Sequence, residues 1–152
     1  MKTHTTIFEL THLDLTDLLS TAFCGSTYLS ADYENNPSCN ESKLATSLLN
    51  GRVIYVIDKG SQGAHYGKLS HTLNGDGDTV YRLRYTDIIN GLERAVNGTF
   101  NAREDLKGDY SARMRDFARW SFRAFAEDDP AWDLIPADCL MQIILFNEVV
   151  YG

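Results

Sequence analysis

Arg115, Arg119 and Arg123 recur every four residues, so on a helix they share one stripe. Tyr110, Met114, Phe117, Ala118, Ser121 and Phe125 fall on the opposite face and are expected to be core. Three guanidiniums in a row could grip phosphates or the acidic face of a partner, with Trp120 at the margin as an aromatic anchor. The competing reading is a solvated face on which Asp116 pairs with Arg119 or with Arg123. Shortly after the stripe comes "EDDPAWD", where Glu127, Asp128 and Asp129 make an acidic helix–helix connection. Such a surface could imitate nucleic-acid phosphates toward a basic protein, or simply be a solvated loop. These seven residues are the candidate partner-binding set.

The other constellations fail on identity or spacing. "NGDGD", Asn74 to Asp78, resembles a calcium loop. With Gly77 at position 6 of an EF-hand, Thr72 and Leu83 fall at positions 1 and 12; with Gly75 there, Ser70 and Tyr81 do. The run is therefore expected to be a hairpin turn, where Asn and Gly tolerate positive φ. "KGSQGAHYGKLS" misses the Walker A spacing, since Gly63 to Gly67 encloses three residues and Leu69 follows Lys68. His4, His12, His65 and His71 lack a carboxylate or cysteine at ligand spacing. His71 alternates with Leu69 and Leu73 on an apolar strand face, where a core or edge histidine is the commoner case. Cys24 ends a helix rather than starting one, so no helix dipole activates it. The three cysteines Cys24, Cys39 and Cys139 read as small buried hydrophobes. Neither a metal nor a cofactor is expected, and no catalytic residue is assigned.

The bulk properties frame these motifs. The chain has 152 residues, which predicts one domain over 1–152. Its 43% hydrophobic and 23% charged content is that of a soluble globular domain. "MKTHTTIFEL" has no signal-peptide core, and no apolar run is long enough for a membrane helix, so a cytoplasmic protein is expected. The net charge of −7 opposes binding to nucleic acid or an anionic membrane and favours a basic partner.

The elements follow from periodicity and stop signals. "DLTDLLSTAFCG" predicts a helix capped by Asp14 or Thr16 and halted at Gly25 in the left-handed conformation. "STYLSADYENNPS" suggests a short strand and a turn at Asn35–Pro37. Ser38 and Glu41 fit a capping box for a helix bearing Leu44, Leu48 and Leu49, ended by Asn50–Gly51. "RVIYVID" reads as a central strand covered on both faces. "KLSHTL" and "TVYRLRY" read as a hairpin with Tyr81, Leu83 and Tyr85 on one side and Arg82 and Arg84 on the other. Thr86 is the expected cap of a helix with Ile88, Ile89, Leu92 and Val96 inward, stopped at Asn97–Gly98. A helix from Tyr110 to Ala126 follows, capped by Asp109. A last helix from about Pro136 is apolar nearly all round, with Asn147 as its left-handed stop. The sum is α+β: a small, mainly antiparallel sheet of about 3–5 strands packed against about five helices.

"LTDLLSTAFCGSTYLSADY", "KLATSLLNGRVIYVID" and "ADCLMQIILFNEVVYG" resemble uncharacterised small accessory proteins carried by conjugative elements and phages of gut bacteria. The likeness runs in patches over most of the chain. In those relatives the position of Asn147 is often glycine, in keeping with a left-handed helix stop. The resemblance implies a mobile-element accessory role, one version of which is action against a host defence system, and it transfers no catalytic residue. The expectation is thus a non-catalytic, acidic protein-interaction module, in its sharper form an anti-CRISPR-type inhibitor that binds a host protein, itself a nucleic-acid-binding one. The alternatives are a small enzyme acting on a nucleotide or nucleic acid through His65, Lys68, His71 and the arginines, and direct nucleic-acid binding through the arginine stripe.

Overall fold

The computed structural model describes residues 9–60, 69–100, 113, 116–120, 122 and 134–151. Helix α1 (His12–Gly25) precedes strand β1 (Leu29–Ala31), helix α2 (Glu41–Leu49) and strand β2 (Ile54–Asp58). The hairpin β3 (His71–Leu73) and β4 (Thr79–Leu83) leads into α3 (Tyr85–Asn97). A fourth helix, α4, is described at residues 113, 116–120 and 122, and α5 (Leu134–Phe146) closes the fold. The result is α+β, with one four-stranded antiparallel sheet in the order β1-β2-β4-β3.

Strand β2 lies inside the sheet because its β-branched run can be buried on both faces. Ile54 and Val56 face the main core with Leu29, Ala31, Tyr81 and Leu83. Ile57 and its register partner Val80 are buried on the other face. Helix α5 is apolar on every side, and its described side chains from Ala137 to Phe146 are buried except Asp138, which is half-buried. It packs against α1 and α3, while α2 packs against α1.

Helix α3 carries a glycine in its middle, and α5 explains it. A Cβ on Gly91 would sit 2.7 Å from the Ile144 Cα, inside van der Waals contact. The missing side chain lets two helices meet backbone to backbone. Arg94 adds a tie, its Nη2 donating to the Ile143 carbonyl at 2.9 Å. Asn147, at φ 59°, donates its N–H to the same carbonyl and ends α5 as expected.

Helix ends confirm some signals and correct others. Gly51 and Gly98 adopt φ of 77° and 67° and close α2 and α3. Gly25 does not: α1 runs through it and ends at Ser26 in an extended conformation. The cap of α1 is Thr11, not Asp14 or Thr16. Its hydroxyl accepts from the Asp14 N–H at 3.1 Å, and the Asp14 carboxylate accepts from the Thr11 N–H at 2.8 Å. Asn40 rather than Ser38 caps α2, accepting from the Lys43 N–H. Helix α3 starts one residue before Thr86, with Asp87 accepting from the Arg84 N–H. The last helix begins at Leu134, two residues before Pro136. Asp109, Tyr110, Met114, Ser121 and Phe125 lie outside the described residues. Phe122, absent from the expected core face of α4, is buried beside Ala118.

"NGDGD" is a turn. The Asn74 N–H donates to the Asp78 carbonyl at 2.9 Å, and the Asn74 side-chain oxygen accepts from the N–H groups of Asp76 and Asp78. Gly77 supplies the positive φ, at 81°.

Candidate functional site

A cleft of about 370 Å³ opens between the second half of α1, the start of β1's outgoing chain and the N-terminus of α2. Ser20, Phe23 and Cys24 come from α1, Ser30 and Ala31 from β1, and Tyr33, Cys39 and Glu41 complete the wall. Its shape is held by a buried asparagine. The Asn36 side chain donates to the carbonyls of Asp32 and Tyr55, each at 2.8 Å, and accepts from the Tyr55 N–H at 2.9 Å. It therefore takes the place of a further residue of the β1–β2 ladder and turns the chain sharply after Asp32. Asn35 donates to the Asp32 carboxylate. This knot pushes Tyr33 outward, leaving it 83% exposed at the cleft.

Among the described residues Glu41 is the one charged side chain in the cleft wall, and Asp17 is exposed on the α1 stripe that also carries Ser20 and Cys24 (i, i+3, i+7). Glu34 follows Tyr33 and is exposed. Lys43 belongs elsewhere, to a second cleft of about 260 Å³ with Asn36, Pro37 and Ile54. Two of the three thiols differ from the expectation of buried hydrophobes: Cys39 is half-buried and Cys24 exposed, while Cys139 is buried as expected. Burial first, then the carboxylates of Asp32 and Glu41, raise the pKa of Cys39. Its sulfur faces the Asp32 carbonyl at 3.6 Å, so it is held as a thiol. Among the described residues, no group of three or more His, Cys, Asp or Glu side chains is placed to hold a metal ion.

A second polar cluster is internal. Asp58 ends β2 fully buried, accepting from the Gly60 N–H at 2.9 Å and the Tyr151 hydroxyl at 2.7 Å. Tyr81 and Thr79 stand beside it on β4, Thr79 directly opposite in register. Burial, then the Asp58 charge, raises the pKa of Tyr81 well above the usual phenol value, so its hydroxyl stays protonated. Gln142 clamps the C-terminal segment. Its oxygen accepts from the N–H groups of Val150 and Tyr151, both at 2.8 Å, and its amide donates to the Tyr151 carbonyl and to Asp138. Burial raises the pKa of Asp138 to about 6 against the opposing hydrogen bonds from Ser26 and Gln142. These groups hold the chain end against the sheet.

The sequence-derived candidates separate. Arg119 is half-buried: its guanidinium packs over Gly98, with Nη2 donating to the Asn97 carbonyl at 3.4 Å and Nη1 3.8 Å from Asp116. A cation there complements the negative end of α3. Trp120 is 43% exposed and packs against the ring of Phe117. Arg115, Arg123, Glu127, Asp128 and Asp129 lie outside the described residues, as do His65 and Lys68. His71 is an exposed histidine of the edge strand, the edge version of the expectation; its Nδ1 lies 2.9 Å from the Leu69 carbonyl and its ring 5.3 Å from that of Tyr81. Arg82 and Arg84 are exposed as expected.

The cleft was missed because its walls come from three separated segments, none with a motif. Asn36 was the available signal, since a buried side chain of that type must find backbone partners. No helix among the described residues is long and apolar enough to cross a membrane. In comparisons with known proteins, the chain matches no family model, no curated protein and no solved structure.

Proposed function

We propose that this chain is a non-catalytic protein-interaction module that docks a basic partner in the cleft between α1, β1 and α2. The observation that carries the reading is Tyr33, 83% exposed at the mouth of this cleft and fixed there by the Asn36 knot. An aromatic ring on a rigid base that shares its cleft wall with the Glu41 carboxylate is the anchor-and-charge arrangement that protein interfaces use. The net charge of −7 steers a basic surface toward it. The mobile-element setting implied by the sequence resemblance suggests the partner's class: a nucleic-acid-binding host protein whose basic surface the module occupies, as an anti-defence inhibitor would. Arg119 supports a structural part for the arginine stripe, and Trp120 remains as a secondary contact.

A photo-crosslinking amino acid at Tyr33 in the full chain, expressed in a bacterial host, tests the reading. Position 33 is expected to give one dominant adduct with a basic protein, and the exposed control position Leu49 to give none. Equal labelling at both positions, or no adduct at position 33, overturns the proposal.

A further inference from the structure

Strand β3 ends the sheet, and its three residues are all exposed, Leu73 at 67%. Its hydrogen-bonding parity is set by its neighbours. The Arg82 N–H donates to the Ser70 carbonyl and the Asn74 N–H to the Asp78 carbonyl, in the register that pairs Thr72 with Val80. Positions 70, 72 and 74 therefore bond toward β4, and the N–H and C=O groups of His71 and Leu73 point out of the sheet. The shortness of β3 is its one guard against pairing, since "HTL" has no proline, no lysine and no bulge.

The geometry points to a second copy of this chain as the occupant of this edge, in an antiparallel β3–β3 contact about a twofold axis at Thr72. His71 of each copy then faces Leu73 of the other, and both pairs exchange their outward backbone bonds, four in all. The register is the one a twofold axis demands, because the two outward residues flank the axis symmetrically. Charge supports the same choice over a foreign strand. The hairpin is acidic at its turn, with Asp76 and Asp78, and basic at its open end, with Arg82 and Arg84 exposed. Antiparallel pairing brings the turn of each copy toward the open end of the other. The Leu73 side chain, on the same sheet face as Tyr81, gains the His71 ring of the second copy as cover. The result is a continuous eight-stranded antiparallel sheet, two copies of the four strands in each chain. Three residues a side make a small, transient interface. The contact is independent of the cleft at Tyr33.

Disulfide trapping in a Cys24→Ser background of the full chain tests it, because Cys24 is the exposed native thiol. Thr72 meets its own copy as a non-hydrogen-bonded pair, with Cα atoms about 4.5 Å apart, within the span of a disulfide. Thr72→Cys is expected to form linked dimer at least about tenfold faster than Arg82→Cys, which sits a strand away from the axis and out of bonding range. Adding Leu73→Pro removes one outward N–H but no bond to β4, so it should abolish linking while β4 amide shifts stay in place. Equal linking by Thr72→Cys and Arg82→Cys, or linking that survives Leu73→Pro, overturns the proposal. A chain that stays monomeric by sedimentation at about 1 mM, well above the range of weak contacts of this size, also overturns it and leaves the edge to a foreign extended segment.

Discussion

Replacing Gly91 with alanine sets two effects of opposite sign against each other. Helix propensity alone favours alanine over glycine in the middle of α3 by about 1 kcal/mol. The contact with α5 opposes it. The new Cβ would lie 2.7 Å from the Ile144 Cα and 3.0 Å from its Cβ, where carbons settle at about 3.5–4.0 Å. A side chain could turn aside, but the Ile144 Cα cannot, so α3 and α5 must separate by nearly an ångström. Overpacking of this kind costs about 1–3 kcal/mol, and a backbone obstacle puts Gly91 at the upper end. The net expectation is a loss of about 1–2 kcal/mol, or about 2–8 °C in Tm for a chain of this size. Urea unfolding followed by far-ultraviolet circular dichroism measures it, with Asn90→Ala, exposed on the same helix, as a control in which propensity acts alone. Asn90→Ala should raise the midpoint and Gly91→Ala lower it. A raised midpoint for Gly91→Ala would refute the close helix approach.

Two further substitutions probe the buried polar groups. Burial raises Asp138 from 3.8 to about 6, so the folded state holds its proton more tightly than the unfolded chain. The contribution of Asp138 to stability is therefore most favourable below about pH 4, falls between about pH 4 and 6, and stays reduced above that. Asp138→Asn keeps an acceptor for Gln142 and removes the charge. It should stabilise the fold by about 1–2 kcal/mol at pH 7.5, after discounting for partial exposure, and by almost nothing at pH 4. A pH-independent effect in urea titrations would contradict this. Tyr151→Phe removes the hydroxyl bonded to Asp58 and should cost about 1.5–3 kcal/mol, the range for a hydrogen bond to a buried charged group. Thermal unfolding of the pair checks it, and an unchanged Tm would mean that the hydroxyl does not hold the chain end.

The parts of the fold that were legible in the sequence are those decided locally. Gly51 and Gly98 end their helices because positive φ is a property of the residue itself. The run "RVIYVID" predicts a central strand, and β2 is one, because a continuous β-branched segment needs cover on both faces. Helix starts were less legible where several capping residues lie within a few positions. Thr11, Asp14 and Thr16 compete at α1, and Ser38 and Asn40 at α2; the backbone angle that chooses between them depends on how the preceding chain arrives. Gly91 reads as a weakness until Ile144, 53 residues away, supplies the reason. The same holds for the Asp58–Tyr151 bond and the cleft behind Tyr33, which join segments that share no pattern. The arginine stripe was legible in part. Spacing gives the Asp116–Arg119 pair of a solvated face, but it says nothing of Gly98, whose bare backbone offers the guanidinium a place to pack.

The central claim, a docking cleft with Tyr33 as its anchor, is tested most directly by calorimetric titration of the partner crosslinked from position 33. The partner should be titrated into the wild-type chain and into Tyr33→Ala and Glu41→Lys, two substitutions at a solvent-facing wall that leave the core intact. Loss of an interface anchor typically costs about 2 kcal/mol or more, so each variant is expected to weaken binding by about 30-fold or more. Wild-type affinity in both variants, with the partner still bound one to one, would contradict the account.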